Sequence, residues 1–342
     1  MKRVVTFGEI MLRLSPPGFE RFFQSPALEA TFGGGEANVA VSLAHFGLDS
    51  WYVTRLPRNA IGDAALRALR AEGVHTDAIV RGGERVGIYF AETGASQRAS
   101  TVVYDRAHSA ISDMTADDVV WSDVLGSATW LHVTGITPAL GYRAAECTRV
   151  AIDTARECGA AVSIDLNYRK KLWTEAEAQA IMRPLVEGID LVIANEEDLQ
   201  SVLGVPIAHT DVTSGALDAS AYETAARRVA DEFGVRMVAI TQRESHSASD
   251  NGWSALLWDT GTGEFHRSQR YDLRVVDRIG GGDSFAAGLI YALVTDRPAE
   301  AALRFAVAAS ALKHSIPGDF NRVTVDEVDR LAKGDGSGRV VR

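Results

Sequence analysis

The sequence predicts an α/β fold, in which helices flank a doubly wound, mostly parallel sheet that carries a small β-sheet lid. Three observations lead to this prediction. Apolar strand-like runs alternate with helical segments through the middle of the chain, as in βαβ units. These runs are mostly apolar rather than alternating, which is typical of strands buried on both faces. Two segments rich in β-branched and aromatic residues interrupt the alternation and predict the lid.

The predicted elements follow in chain order. The apolar runs predicted as strands are residues 4–7, 51–54, 129–133, 161–164, 191–194 and 236–240. The clearest helical patterns lie at 140–158 and 222–233, each followed by glycine. With 342 residues, we predict one domain over 1–333, with lid segments near 10–25 and 86–105, and a flexible tail over 334–342.

Polar residues follow several predicted strands. Ligands in open parallel sheets bind beyond the carboxyl ends of the strands, so these residues would share one rim. Each of them alone is an ordinary polar loop residue, but together they suggest a site. They are Glu9, Thr134, Asp165, Asn167, Arg169, Asn195, Glu196 and Thr241.

Composition excludes several classes of protein. The 45 acidic and 35 basic residues give a net charge of −10, so neither a nucleic acid nor an anionic membrane is an expected partner. No run reaches the roughly 20 apolar residues of a membrane span. The first residues lead into a strand without a signal-peptide core, so we expect a cytoplasmic protein.

The strongest local signal is DRIGGGDSFAAG at 277–288. Three glycines before Asp283 place unhindered backbone N–H groups at the start of a helix, where an anion such as phosphate can dock. The carboxylate could then accept a hydroxyl proton as that oxygen attacks phosphorus. The alternative is a purely structural role as a glycine-rich turn with an aspartate cap, which is the commoner explanation for a short motif.

A second glycine-rich segment is TFGGGEANVAVSLAHFG at 31–47. Its glycines would let a polyhydroxylated ligand approach the backbone, with Asn38 offering a donor and an acceptor. They would serve equally well for close packing of a helix on a sheet. Arg106 lies in the predicted lid, and Arg169 lies just past the end of a predicted strand. If both arginines pointed into one pocket, they would favour an acidic substrate, although exposed arginines are common.

The chain contains no P-loop, no dinucleotide-binding GxGxxG after the first strand, no HExxH and no GxSxG. VVDRIGGGDSFAAG and TFGGGEANVAVSLAHFG resemble the C-terminal and N-terminal signatures of ribokinase-like (PfkB-type) carbohydrate kinases, in the same order. Four further segments are most similar to the 2-keto-3-deoxygluconate kinase subgroup, namely VVYDRAHSA, DLNYRKKLW, TQRESHSASDNGWSALLWD and ALKHSIPGDFN. The resemblance implies a ribokinase-like fold and transfer of a phosphoryl group from ATP, with Mg²⁺ and possible use of a monovalent cation.

The resemblance also implies roles for individual residues. Asp283 would be the catalytic base, and Gly280, Gly281 and Gly282 would form the anion hole. The implied substrate pocket is lined by Gly34, Asn38, Tyr89, Tyr104, Arg106, Arg169 and Asp319, with Arg106 and Arg169 on the substrate carboxylate. The residues implied to border ATP are Asn167, Arg169, Thr241, Arg243, Ser245, Ser247, Gly280 and Gly282, and those implied to act indirectly on Mg²⁺ are Asn195 and Asp198.

The sequence departs from the wider family in three places. The family commonly has Asp-Thr-Thr-Gly-Ala-Gly-Asp where this chain has DRIGGGD, Glu where it has Asp198, and Thr-x-Gly where it has Thr-Gln-Arg.

We expect phosphorylation of 2-keto-3-deoxygluconate to the 6-phosphate, in sugar-acid catabolism of the Entner–Doudoroff type. The alternatives are a ketose or nucleoside kinase and a catalytically silent sugar-binding protein. We also expect a homo-oligomer, whereas epimer preference and regulation are left open by the sequence.

Overall fold

The computed structural model describes residues 2–207, 219–336 and 338. The strands are β1 (Arg3–Phe7), β2 (Met11–Ser15), β3 (Glu29–Gly33), β4 (Asp49–Val53), β5 (Arg55–Leu56), β6 (Val80–Arg81), β7 (Gly87–Glu92), β8 (Thr101–Asp105), β9 (Ala128–Thr134), β10 (Ala161–Asp165), β11 (Leu191–Ala194), β12 (Met237–Ser245), β13 (Asp250–Asp259), β14 (Glu264–Arg267) and β15 (Tyr271–Arg274). The α-helices are α1 (Gly35–His45), α2 (Ala60–Ala71), α3 (Trp121–Leu125), α4 (Tyr142–Glu157), α5 (Glu175–Val186), α6 (Glu196–Leu203), α7 (Ala219–Phe233), α8 (Gly281–Val294), α9 (Ala299–Lys313) and α10 (Val325–Ala332).

The main sheet confirms the predicted α/β class. Its order is β14-β13-β12-β11-β10-β9-β1-β4, with β15 also paired to β13. Neighbours from β12 to β4 run parallel, and only the pairs that involve β13 are antiparallel. Side chains of a strand alternate between faces. Accordingly, Val5 and Phe7 pack into the apolar cluster on one face of the sheet, while Val4 packs into the cluster on the other.

A separate four-stranded sheet, in the order β3-β2-β7-β8, forms the lid sheet. The sequence placed lid segments near 10–25 and 86–105, which contain β2, β7 and β8, but it missed β3. Residues 16–25 contain turns rather than a strand. Because β3 ends at Gly33 and α1 begins at Gly35, the lid sheet leads directly into α1 through the glycine-rich segment at 31–47.

Two sequence expectations concern other parts of the chain. Within the predicted tail, residue 337 and residues 339–342 lie outside the described part of the structure. None of the described helices is both long enough and apolar enough to cross a membrane.

Candidate active site

A cavity of about 680 Å³ lies at the carboxyl ends of β10, β11 and β12. The N-terminal ends of α1 and α8 and the lid sheet complete its wall. It brings together residues from both glycine-rich segments, from the lid sheet and from the predicted rim. The predicted site residues that line it are Gly34, Asn38, Tyr89, Tyr104, Arg106, Asn167, Arg169, Asn195, Asp198, Thr241, Arg243, Ser245, Gly280, Gly282, Asp283 and Asp319.

Two predicted site residues do not line this cavity. Gly281 is buried, and a Cβ atom there would lie 2.5 Å from Cε1 of His314. Ser247 lies in the turn between β12 and β13, where its hydroxyl accepts from the amides of Ser249 and Asp250, at 3.0 and 2.9 Å. The serine hydroxyl is therefore used to close a tight turn, which sequence similarity alone did not show.

Asp283 lies in the first turn of α8, at the floor of the cavity. Its Oδ2 accepts a hydrogen bond of 2.6 Å from Nδ2 of Asn38, which lies in the first turn of α1. Burial raises the pKa of Asp283 to about 6, against the lowering effect of the Asn38 hydrogen bond. A carboxylate with this pKa is mostly ionised at pH 7 and is a competent proton acceptor.

The backbone before Asp283 has a conformation that requires glycine. Gly280, the residue before α8, has φ of 86°, and a Cβ atom there would lie 2.2 Å from the carbonyl oxygen of Asp319. Gly282 has open space around it. Because the first turn of a helix has N–H groups without intrahelical acceptors, this end of α8 can receive an anion.

Buried ion pairs hold the segments behind the α8 terminus together. Arg13 of β2 donates to Asp277 at 2.7 Å and to Asp319 at 2.8 Å. The hydroxyl of Tyr89 donates to Asp319 at 2.6 Å, so the lid sheet is anchored to the same carboxylate. Lys313 is fully buried nearby, and burial lowers its pKa against the opposing effect of the surrounding carboxylates. Asp319 is thus held by lid residues at the edge of the cavity.

The lid end of the cavity contains a buried ion pair that the sequence did not predict. Arg106 donates to Oε2 of Glu9, at the end of β1, and both residues are buried. Among the described residues, Oε1 of Glu9 and Nε of Arg106 have no hydrogen-bond partner. The Arg106 guanidinium also lies 5.5 Å from the ring centroid of Tyr104. Glu9 was recognised from the sequence only as a rim residue.

The other predicted carboxylate ligand, Arg169, is exposed and lines the same cavity. Its Nη1 donates to the carbonyl oxygen of Tyr168 at 3.2 Å. The structure thus places Arg106 and Arg169 in one cavity, as an acidic substrate would require. Binding of a substrate carboxylate by these two groups stays a prediction.

Asn195 and Asp198 form the N-terminal cap of α6. Asn195 Oδ1 accepts from the Asp198 amide at 2.9 Å, and Asp198 accepts from the amides of Asn195 and Tyr168 at 3.2 and 2.9 Å. Burial raises the pKa of Asp198 to about 6. It also raises the pKa of Asp165 well above its usual range, with added repulsion from Asp198 and Asp283. The positive charge of Arg169 offsets part of this repulsion, and a cation bound here would offset more of it.

A cation here would not be held by protein side chains alone. In the described part of the chain, no group of three or more histidine, cysteine, aspartate or glutamate side chains could hold a metal ion. Mg²⁺ characteristically keeps several waters and binds through one or two carboxylates together with substrate phosphates. Asp165 and Asp198 fit that pattern of indirect binding.

The comparisons with known proteins show the family of this chain. Residues 1–321 match the model of the pfkB family carbohydrate kinases. The chain is a PfkB family carbohydrate kinase. The family resemblance noted in the sequence is therefore confirmed. A curated relative from Haloferax volcanii, a 2-dehydro-3-deoxygalactonokinase, is 33% identical over 98% of this kinase and 98% of its own length.

Other relatives of this kinase include two 2-dehydro-3-deoxygluconokinases. The Bacillus subtilis enzyme is 27% identical over 94% of this chain and 93% of its own. The crystal structure of the Thermotoga maritima enzyme is 49% identical, covers 98% of this chain and 100% of its own, and has a TM-score of 0.94. A putative ribokinase II from E. coli, solved with ATP and Mg²⁺, has a TM-score of 0.76 at 18% identity and supports the ribokinase-like fold.

Proposed function

We propose that this kinase transfers the terminal phosphoryl group of ATP to 2-keto-3-deoxygluconate and gives 2-keto-3-deoxy-6-phosphogluconate. One observation carries the proposal: the same cavity holds Asp283 at the glycine-rich start of α8 together with Arg106 and Arg169. The first arrangement suits phosphoryl transfer to a hydroxyl, and the arginines suit a sugar acid rather than a neutral sugar. The relatives named as 2-dehydro-3-deoxygluconokinases support the same substrate.

Different residues of the cavity bind the substrate, accept its proton and stabilise the transferred phosphoryl group. Arg106 and Arg169 hold the carboxylate of the sugar acid, and Tyr89, Tyr104, Gly34 and Asn38 surround its hydroxyl groups. Asp283 accepts the proton of the terminal hydroxyl as that oxygen bonds to the γ-phosphorus, and the bond to the ADP oxygen breaks with its electron pair leaving on ADP. Backbone N–H groups of the first turn of α8 stabilise the charge on the phosphoryl oxygens.

The opposite side of the cavity fits the nucleotide. It is lined by Asn167, just beyond β10, and by Thr241, Arg243 and Ser245 in the C-terminal half of β12. When bound, Mg²⁺ would neutralise part of the triphosphate charge, and Asp165 and Asp198 are the carboxylates placed to hold it through water. We propose that the lid sheet covers the substrate and excludes water from the transfer.

One relative raises a second substrate. The Haloferax volcanii protein is named as a 2-dehydro-3-deoxygalactonokinase, so the galactonate epimer belongs in any substrate panel.

Four sequence expectations stay predictions: the single domain over 1–333, a cytoplasmic location, a homo-oligomer and the use of a monovalent cation. They do not enter the proposed mechanism.

An assay of ADP release tests the proposed function. The wild-type protein is expected to turn over 2-keto-3-deoxygluconate in preference to fructose, ribose and adenosine. Asp283→Asn should lower kcat by about 1,000-fold, within the range expected for loss of a general base. The matched control is Asp326→Asn, an exposed aspartate in the first turn of α10, which should leave kcat unchanged. Absence of turnover by wild type on any sugar acid would support the silent binder instead.

A further inference from the structure

Arg278, two residues before Gly280, borders the start of α8. Its carbonyl oxygen accepts from the amide of Gly281 at 3.3 Å, in the turn that precedes α8. Its side chain is half-buried and lines the cavity together with Gly280, Gly282 and Asp283. Nη2 donates to the carbonyl oxygen of Ala248 at 2.8 Å, which fixes the guanidinium in this position. Arg278 was not among the residues that the sequence resemblance implied.

A second arginine lies close to Arg278. Arg243, on β12, is exposed and lines the same cavity. Burial, together with the positive charge of Arg243, lowers the pKa of Arg278, so the two guanidinium groups repel each other. Like charges in a half-buried cavity are unfavourable unless an anion lies between them.

Asp277 attracts Arg278 and Glu196 attracts Arg243, but neither carboxylate contacts its arginine closely. Within the described residues, neither Arg243 nor Arg278 forms an ion pair of 4 Å or less with a carboxylate. The adjacent Asp277 instead accepts from Arg13, from the amide of Ile279 and from the amide of Gly318, at 2.7, 3.1 and 3.0 Å. The two positive charges are therefore only partly compensated and can bind an anion, although the protein as a whole carries a net charge of −10.

The backbone supplies further donors at the same place. The first turn of α8, where Gly282 and Asp283 lie, provides N–H groups and the positive end of the helix dipole. His314, beneath Gly281, contributes no charge at neutral pH, because burial lowers its pKa to about 4. The two guanidinium groups are planar and permanently charged, and they lie beside the helix amides. Together they match a ligand with several phosphate oxygens better than they match a single carboxylate.

We propose that Arg278 and Arg243 clamp the triphosphate of the nucleotide, with Arg278 on the phosphoryl group that is transferred. This assignment rests on the proposed function. Arg278 donates hydrogen bonds to the oxygens of that group while the acceptor oxygen bonds to phosphorus and the bond to ADP breaks. It gains and loses no proton, because arginine stays protonated in proteins. Its charge stabilises the transition state, as an arginine supplied in cis does in other phosphoryl-transfer enzymes.

The test compares Arg278→Gln and Arg278→Lys with Arg274→Gln. Arg274 is an exposed arginine four residues earlier that does not line the cavity, so its variant controls for loss of a positive charge. In kinetics, Arg278→Gln should lower kcat by about 100-fold and change the KM for the sugar acid less than about threefold. Arg278→Lys should recover part of kcat, because lysine keeps the positive charge but lacks the planar guanidinium group that donates two parallel hydrogen bonds. Arg274→Gln should behave as wild type.

Calorimetric binding measured without any sugar separates this proposal from the proposed function. Arg278→Gln should bind a non-hydrolysable ATP analogue about tenfold more weakly than wild type, while AMP binding stays the same. Unchanged AMP binding also shows that the variant is folded. The proposal is overturned if the variant binds the analogue as tightly as wild type, or if its main defect is a raised KM for the sugar acid. If wild type phosphorylates no sugar acid, the proposed function fails, whereas the binding comparison still decides the role of Arg278.

Discussion

The two ends of the cavity are built in different ways. At the α8 end, the groups to which we assign phosphoryl transfer are backbone N–H groups, Asp283 and Arg278, at the start of a helix whose next residues are nearly all buried. At the lid end, the groups to which we assign substrate binding include Tyr89 and Tyr104 of the lid sheet and Arg106, just after β8; Tyr104 is 40% exposed. We therefore expect phosphoryl transfer to depend on a fixed framework and substrate recognition to depend on side chains that can be exchanged.

Packing explains why the α8 end is fixed. Gly288 allows α8 to approach α9 so closely that a Cβ atom there would lie 2.9 Å from Cα of Ala306. Phe285 and Leu289 are fully buried in the apolar cluster on that face of the main sheet. By contrast, the lid sheet has a small apolar cluster of Met11, Tyr89 and Ala91. We therefore expect substitutions at the α8 end to affect folding and catalysis together, and substitutions at the lid end to affect mainly KM.

The largest effect is expected for Gly280→Ala. The left-handed backbone and the 2.2 Å distance from a Cβ atom to the Asp319 carbonyl oxygen leave no room for a methyl group. We expect a loss of about 100-fold in kcat and of about 2 kcal/mol in the free energy of unfolding. Kinetics and denaturant unfolding measure the two quantities.

Gly282→Ala is the matched control for stability. A Cβ atom at this position meets nothing within 4 Å, and alanine is favoured over glycine inside a helix. Its free energy of unfolding should equal or exceed that of wild type. Equal destabilisation by both variants would contradict the difference in backbone strain between these two positions.

An intermediate effect is expected for Arg106→Ala at the lid end. Loss of a group that binds the substrate carboxylate should raise the KM for the sugar acid about 30-fold, since truncation of one partner in a buried charge pair costs roughly 2–5 kcal/mol. The KM for a neutral sugar should change far less. Arg85→Ala is the control, because Arg85 pairs with Asp105 of the lid sheet and does not line the cavity. Equal changes for the acid and the neutral sugar would count against an acidic substrate.

The smallest effect is expected for Glu9→Gln. Glu9 forms an ion pair with Arg106 and so competes with a substrate carboxylate for the same guanidinium. The variant keeps a hydrogen-bond acceptor but removes the negative charge, so the KM for the sugar acid should fall about threefold. The sugar acid should also raise the Tm of this variant more than that of wild type. A KM that rises equally for acid and neutral sugars would assign Glu9 a purely structural role.

Local sequence patterns predicted the α8 end better than the lid end. Gly280 and Asp283 share one short motif whose geometry follows from the start of a helix, and Asn38 lies in the first turn of α1. Asp165 and Asn195 followed from the rule that ligands bind beyond the ends of parallel strands. In each case the chemistry lies within a few residues of a recognisable element boundary.

Contacts between distant segments could not be predicted. Arg13 and Asp277 are 264 residues apart, and Glu9 and Arg106 are 97 apart, so no local pattern joins them. β3, with three of five residues exposed, lacks the apolar run that marks the other strands. Arg278 is the exception, because it lies beside the glycine motif and could have been considered from its position alone.

The central claim is that Asp283 is the base that accepts the hydroxyl proton, and its pH dependence tests this claim most directly. Burial raises the pKa of Asp283 to about 6, and the Asn38 hydrogen bond lowers it. With saturating nucleotide, kcat/KM for the sugar acid should therefore rise about tenfold per pH unit below pH 6 and level off above it. In Asn38→Ala the inflection should move to higher pH, since the hydrogen bond that favours the ionised form is lost. A rate that is independent of pH between 5 and 7, or an inflection at the same pH in both proteins, would contradict the claim.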